Sequence, residues 1–219
     1  FGDPSYEAFR DVINDYSAVQ LSIPLDENYL YDLESMYNAI TDKTKMIVIC
    51  NPNNPTGTFV DSAKIEAFIK KVPDNIIVVI DEAYMEYVTY ENSYSMVKLI
   101  KEEIDKPLIV FRTFSKIYGM AGVRVGYALT SPSLVDHFIK SSHAWNLSFI
   151  GQKSAAEAMK DQEYVAKIRD YMATARVEVT EKLRSLGCTV WDSQANFLLF
   201  KCALDPKTVC QELEKEKIQ

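Results

Sequence analysis

Lys116 stands in Thr113-Phe-Ser-Lys-Ile-Tyr-Gly-Met-Ala-Gly-Val-Arg124, with hydroxyls before it, glycines after it and an arginine eight positions on. These residue types suit an anion and an electrophile together. Arg124 can hold a phosphate through two parallel hydrogen bonds. Thr113 and Ser115 add hydroxyl donors, and Gly119 and Gly122 let the backbone turn close to a bound group. An amine placed there can condense with a carbonyl. On residue types alone, an ordinary solvated loop is the commoner reading, since the glycine spacing is not the dinucleotide fingerprint.

Two other polar clusters follow apolar runs. Asn51-Pro-Asn-Asn-Pro-Thr-Gly57 has the composition of a tight turn, which needs no ligand. Asp81-Glu-Ala-Tyr-Met-Glu-Tyr87 begins with a carboxylate at the end of an apolar strand. A carboxylate there is costly unless paired. A helix cap or a solvated loop acid is the commoner role.

The elements that would position these groups read as alternating strands and helices. Met46–Cys50, Ile76–Ile80 and Leu108–Phe111 are apolar throughout, which suits parallel strands buried on both faces. Val125–Leu129 leads out of the lysine loop as a further strand. Helical spacing is predicted over 4–16 (capped by Ser5 or Asp3), 33–40 (capped by Asp32), 61–72, 95–104 and 132–139. A strand is predicted over 19–24. Residues 151–186 read as a long helix interrupted near Asp161-Gln162. Strands over 188–192 and 196–200 follow, then a helix opened by Asp205-Pro206. The expected class is α/β: a mostly parallel sheet between helices, plus part of a smaller α+β C-terminal domain. The expected boundary separates residues 1–153 from 154–219.

The 219 residues are 47% hydrophobic and 25% charged, ordinary values for a globular chain. A net charge of −7 without a basic cluster argues against nucleic acid as the partner. No apolar run approaches bilayer-spanning length and no leader pattern opens the chain, so a cytoplasmic location is expected. Cys50, Cys188, Cys202 and Cys210 form no C-x-x-C pair and read as reduced thiols. His137 and His143 lack partners at ligand spacing, so no metal is expected. The chain opens on Phe1 and closes inside a charged helical run, which reads as a fragment of something longer.

The three clusters, in this order, resemble the signature of fold-type I pyridoxal-phosphate (PLP) aminotransferases of class I/II. They are most similar to the histidinol-phosphate aminotransferase group. The resemblance covers nearly the whole chain. It implies PLP as cofactor, with Lys116 as the catalytic lysine that carries it covalently and then serves as proton-transfer base. It implies Asp81 rather than Glu82 on the ring nitrogen, Asn54 and Tyr84 on the phenolic oxygen, and Thr113, Ser115 and Arg124 on the phosphate. Tyr6 resembles the aromatic that stacks on the ring, whereas Asn51 and Asn53 would only shape their loop, and Asn196 would lie towards the substrate.

The resemblance further implies a homodimer, a small-molecule amino donor and a 2-oxo acid acceptor. Histidinol phosphate and 2-oxoglutarate are the expected pair, which places the protein in histidine biosynthesis. It also implies an arginine for the substrate carboxylate beyond the 196–200 segment, and no arginine follows Arg184. Two alternatives stay open: a PLP-dependent phosphothreonine decarboxylase or other amino-acid aminotransferase, and a PLP-sensing regulatory domain of a transcription factor.

Overall fold

The computed structural model describes residues 1–142 and 145–218; His143 lies outside the described residues. Its elements run β1 (Gly2–Asp3), α1 (Ala8–Asp15), β2 (Ile23–Pro24), α2 (Leu33–Asn38), β3 (Met46–Cys50), α3 (Ser62–Lys71) and β4 (Ile77–Asp81). They continue with α4 (Val97–Lys101), β5 (Leu108–Thr113), β6 (Gly126–Thr130), α5 (Pro132–Ser141), α6 (Phe149–Ala158) and α7 (Gln162–Ser185). Last come β7 (Thr189–Val190), β8 (Phe200–Lys201) and α8 (Pro206–Lys215).

The central sheet has the order β3-β4-β5-β6. β3, β4 and β5 are parallel, and β6 returns antiparallel to β5. Register sets Cys50 beside Asp81, and Asp81 beside Phe111. β3 and β4 therefore end level, β5 runs two residues further to Thr113, and the loops leaving all three share one edge of the sheet. Such strand ends are where open α/β sheets bind ligands.

The apolar runs are buried as their composition requires. Ile49, Ile80, Leu108 and Val110 pack with Ile65, Phe68 and Ile69 of α3, Met36 of α2 and Leu99 of α4. Asp61 caps α3 by accepting from the Ala63 and Lys64 amides, and Asp32 caps α2 from Ser35. Asp161 accepts from Tyr164 and starts α7, which separates it from α6 where the interruption was expected.

Three expectations are corrected. The first long helix is only Ala8–Asp15, and neither Asp3 nor Ser5 caps it. Asp3 lies in β1 and pairs with Arg10, while the buried Ser5 hydroxyl is bonded to Tyr31 and Asn53. The strand over 19–24 shrinks to Ile23–Pro24, with Val19 fully open to solvent. The two late strands shrink to the pairs Thr189–Val190 and Phe200–Lys201. The chain between them spends its polar groups on the loops of the site instead. Among the described residues, no helix is long and apolar enough to cross a membrane.

Candidate functional site

Four of the expected groups gather at the ends of the parallel strands. Asn54 follows β3, Asp81 closes β4 with Tyr84 after it, and Lys116 follows β5. Lys116 Nζ lies 5.0 Å from the centre of the Tyr84 ring. Its charge also favours the ionised forms of Asp81 and Cys50, against their burial.

Asp81 is half-buried, and desolvation holds its carboxyl above the ordinary carboxylate range, against the Ala83 amide and the Lys116 charge. Oδ1 accepts from Ala83 N–H at 3.0 Å, and among the described residues Oδ2 has no hydrogen-bond partner. A carboxylate so placed gains from a cation that comes into contact with it. Glu82 is excluded from that role by its own partners. It is buried and accepts from Ser95 Oγ, the Met96 amide (2.7 Å) and Arg112 Nη1 (2.9 Å). Arg112 also pairs with Glu86 at 3.4 Å, so one guanidinium brackets the turn that carries Tyr84.

The loop after β3 is built by its asparagines. Asn51 exchanges two hydrogen bonds with the Val60 backbone. Asn53 is fully buried and accepts from Ser5 and Tyr31 while donating to the Pro4 carbonyl and Thr56. Both shape the loop, which leaves Asn54 as the asparagine at its surface. Tyr6 is 45% exposed and sets its ring edge-on to Phe9. It lines a cleft of about 350 Å³ together with Asn54, Pro55, Ser5 and Glu7. Sequence reasoning missed the Ser5–Tyr31–Asn53 set, because single polar residues far apart carry no pattern.

The lysine loop is the closed end of the β5–β6 hairpin. Thr113 pairs with Gly126, and Phe114 N–H donates to the Val125 carbonyl. This brings the ends of the loop, with Thr113 and Ser115 on one side and Arg124 on the other, together across the hairpin. Thr113 Oγ1 accepts from the Ser115 amide at 3.0 Å. Arg124 has φ 57° and ψ 53°, a left-handed conformation that costs a non-glycine residue about 1–3 kcal/mol. Its side chain is exposed and donates to the Ala121 carbonyl at 2.8 Å.

These groups fit a cofactor with a protonatable ring and a phosphate. Asp81 offers a carboxylate short of partners, Tyr84 and Asn54 offer donors, and Lys116 offers the amine. The hydroxyls and Arg124 offer an anion cradle at the far end. A second apolar cluster, of Tyr84, Tyr87, Ile117, Val165 and Ala195, ties α7 and the 193–197 segment to these loops.

The family model for aminotransferase class I and II matches residues 1–218. Histidinol-phosphate aminotransferase of Brevibacillus brevis is 38% identical over 90% of this chain and 54% of its own length. Aromatic amino acid aminotransferase of Mycobacteroides abscessus is 40% identical over 90% of this chain and 56% of its own. The crystal structure of histidinol-phosphate aminotransferase from Sinorhizobium meliloti, in complex with pyridoxal-5'-phosphate, superposes with a TM-score of 0.89 at 28% identity. That match covers 98% of this chain and 58% of the crystal chain. The chain thus spans little more than half the length of the proteins it matches.

Proposed function

Because the chain belongs to the class I and II aminotransferase family, we propose that its site binds pyridoxal phosphate and transfers an amino group between an amino donor and a 2-oxo acid. The observation that carries this reading is the meeting of Lys116, Asp81 and Tyr84 at adjacent parallel strand ends. When bound, the cofactor supplies an electrophilic carbonyl carbon and a ring that takes up the electron pair of the broken α C–H bond.

In this reading the chain's residues divide the work. Lys116 Nζ would hold the cofactor covalently, and its free amine would be the base that moves the proton from the donor's α-carbon. Asp81 would keep a proton on the ring nitrogen, since among the described residues its Oδ2 has no hydrogen-bond partner. Asn54 and Tyr84 donate to the phenolic oxygen, and Tyr6 stacks on the ring. Thr113, Ser115 and Arg124 hold the phosphate. Residues 1–153 form the cofactor-binding unit, and 154–219 supply the connector and part of a second unit.

The donor we propose is histidinol phosphate, with 2-oxoglutarate as acceptor, in a cytoplasmic homodimer. The similarity to a histidinol-phosphate aminotransferase supports it. The similarly close aromatic amino acid aminotransferase favours a second reading, an aromatic amino acid as donor. The deciding experiment uses the full-length protein loaded with pyridoxal phosphate. Borohydride should fix the cofactor to Lys116, as read by peptide mapping, and Lys116→Ala should bind cofactor without fixation. Turnover of Lys116→Ala should fall at least about 10²-fold. Fixation at another lysine, or near-normal turnover of the variant, refutes the assignment. Half-reactions with histidinol phosphate, aromatic amino acids and phosphothreonine, read as keto product or carbon dioxide, then separate the donors and the decarboxylase.

A further inference from the structure

Arg176 is buried midway along α7, a helix whose other residues are mostly open. Its guanidinium donates from Nη1 to the carbonyls of Tyr87 (3.3 Å) and Ala195 (3.1 Å). From Nη2 it donates to Thr89 Oγ1 (3.2 Å). Tyr87 and Thr89 belong to the turn that follows Tyr84; Ala195 belongs to the segment 193–197. One side chain therefore ties three distant parts of the sequence.

The two segments are also bonded to each other and to the Asn54 loop. Thr89 N–H donates to Gln194 Oε1 (2.8 Å), and Gln194 N–H donates to the Gly57 carbonyl (2.8 Å). Phe197 sets its ring edge-on to Tyr84, with centroids 5.2 Å apart. Segment 193–197 thus lies on both loops that carry the expected cofactor contacts.

A planar fork reaches two carbonyls and a hydroxyl at fixed angles, which a lysine ammonium on a flexible stem does not reproduce. All three acceptors are neutral, and desolvation alone lowers the guanidinium's pKa. A buried charge of this kind contributes little net stability compared with a well-packed apolar side chain. Its value lies in geometry.

We propose that Arg176 is a positioning residue for the amino-donor site, clamping segment 193–197 onto the turn after Tyr84 so that the segment forms a wall of that site. The inference rests on the aminotransferase reading above for the identity of the site, and on the hydrogen bonds alone for the clamp.

The test compares full-length wild type with Arg176→Lys and with Thr89→Val, a milder variant that removes one acceptor and keeps the Thr89 amide. In Arg176→Lys, hydrogen exchange at the amides of Thr89, Gln194 and Ala195 should accelerate about tenfold or more, while Ile49, Ile80 and Val110 keep their rates. Cofactor retention and its absorbance spectrum should be unchanged. The donor KM should rise about tenfold, with kcat altered far less. Thr89→Val should show the same pattern at smaller amplitude, and it carries the test alone if Arg176→Lys does not fold. Unchanged exchange at the three amides overturns the clamp. Uniform acceleration at all amides overturns it too, since that marks a general loss of stability. A donor KM unchanged beside faster local exchange overturns the role in the donor site. A wild type that binds no pyridoxal phosphate refutes the aminotransferase reading and with it the donor-site role, while the exchange data still decide the clamp.

Discussion

Gly57→Ala should be among the most damaging small substitutions in this chain, and its cost can be assembled from two sources. Gly57 has φ +74°, a left-handed conformation. An alanine held there costs about 1–2 kcal/mol. The added Cβ would also overlap Ser193 Oγ and come within 2.8 Å of Ser193 Cβ. Ser193 Oγ donates to the Phe197 carbonyl (2.7 Å) and accepts from the Ala195 amide (3.0 Å). Turning it away forfeits both bonds, each worth about 0.5–1.5 kcal/mol net. The expected total is about 2–5 kcal/mol, read as a loss of unfolding free energy in urea on cofactor-free, full-length protein. Ser193→Gly removes the obstacle, so the double variant should retain the backbone cost but not the collision. The two substitutions should then be non-additive by about 1–3 kcal/mol in the favourable sense. Additivity within about 0.5 kcal/mol would mean that Gly57 and Ser193 do not touch, and the seating of segment 193–197 would have to be abandoned.

Asp81→Asn should lose most turnover while stabilising the cofactor-free protein. Burial raises the folded pKa of Asp81 above its ordinary value of 3.8, so the folded state binds the proton more tightly. Its ionised form therefore opposes folding, increasingly as pH rises from about 3.8 through the raised value, and fully above it. The variant should withstand more urea than its parent at pH 7, with the gap closing towards pH 4; an equal gap at both pH values would contradict the linkage. Arg112→Met should cost about 3–5 kcal/mol, because it strands the buried Glu82 carboxylate; a loss under 1 kcal/mol in urea titration would show the pair to be dispensable. The full-length protein should sediment as a dimer, and a fully active monomer would refute that.

The sheet was legible because its signal is local. Runs such as Ile76–Ile80 and Leu108–Phe111 are apolar enough to demand burial, and Asp32 and Asp61 announce the helices they cap. The site groups were legible as three clusters, each at the end of one run. What stayed hidden depends on contacts between remote residues. Gly57 against Ser193, Arg176 against Tyr87, and Ser5 against Asn53 leave no periodicity in the sequence. Residues 188–192 and 196–200 were over-read as full strands because short apolar runs also suit a segment that packs on loops. The choice of Asp81 over Glu82 came from resemblance alone; the physical reason, that Glu82 is held by Ser95, Met96 and Arg112, depends on remote contacts.

The hairpin around Lys116 has a consequence for how the site comes together. The backbone bond that shuts it joins residues 114 and 125, with only a short, self-contained loop between them. The neighbouring pairing of Cys50 with Asp81 must wait for a crossover through α3. Loop-closure entropy rises with (3/2)RT ln n, so the longer connection costs about 1 kcal/mol more before any contact compensates it. The expected order of folding is therefore the lysine's hairpin first and its carboxylate partner later. During refolding of the complete chain, the amine of Lys116 would be exposed on a formed turn before Asp81 arrives beside it. Pulse-labelled exchange should then protect the amides of Phe114 and Met120 ahead of those of Asn51 and Glu82.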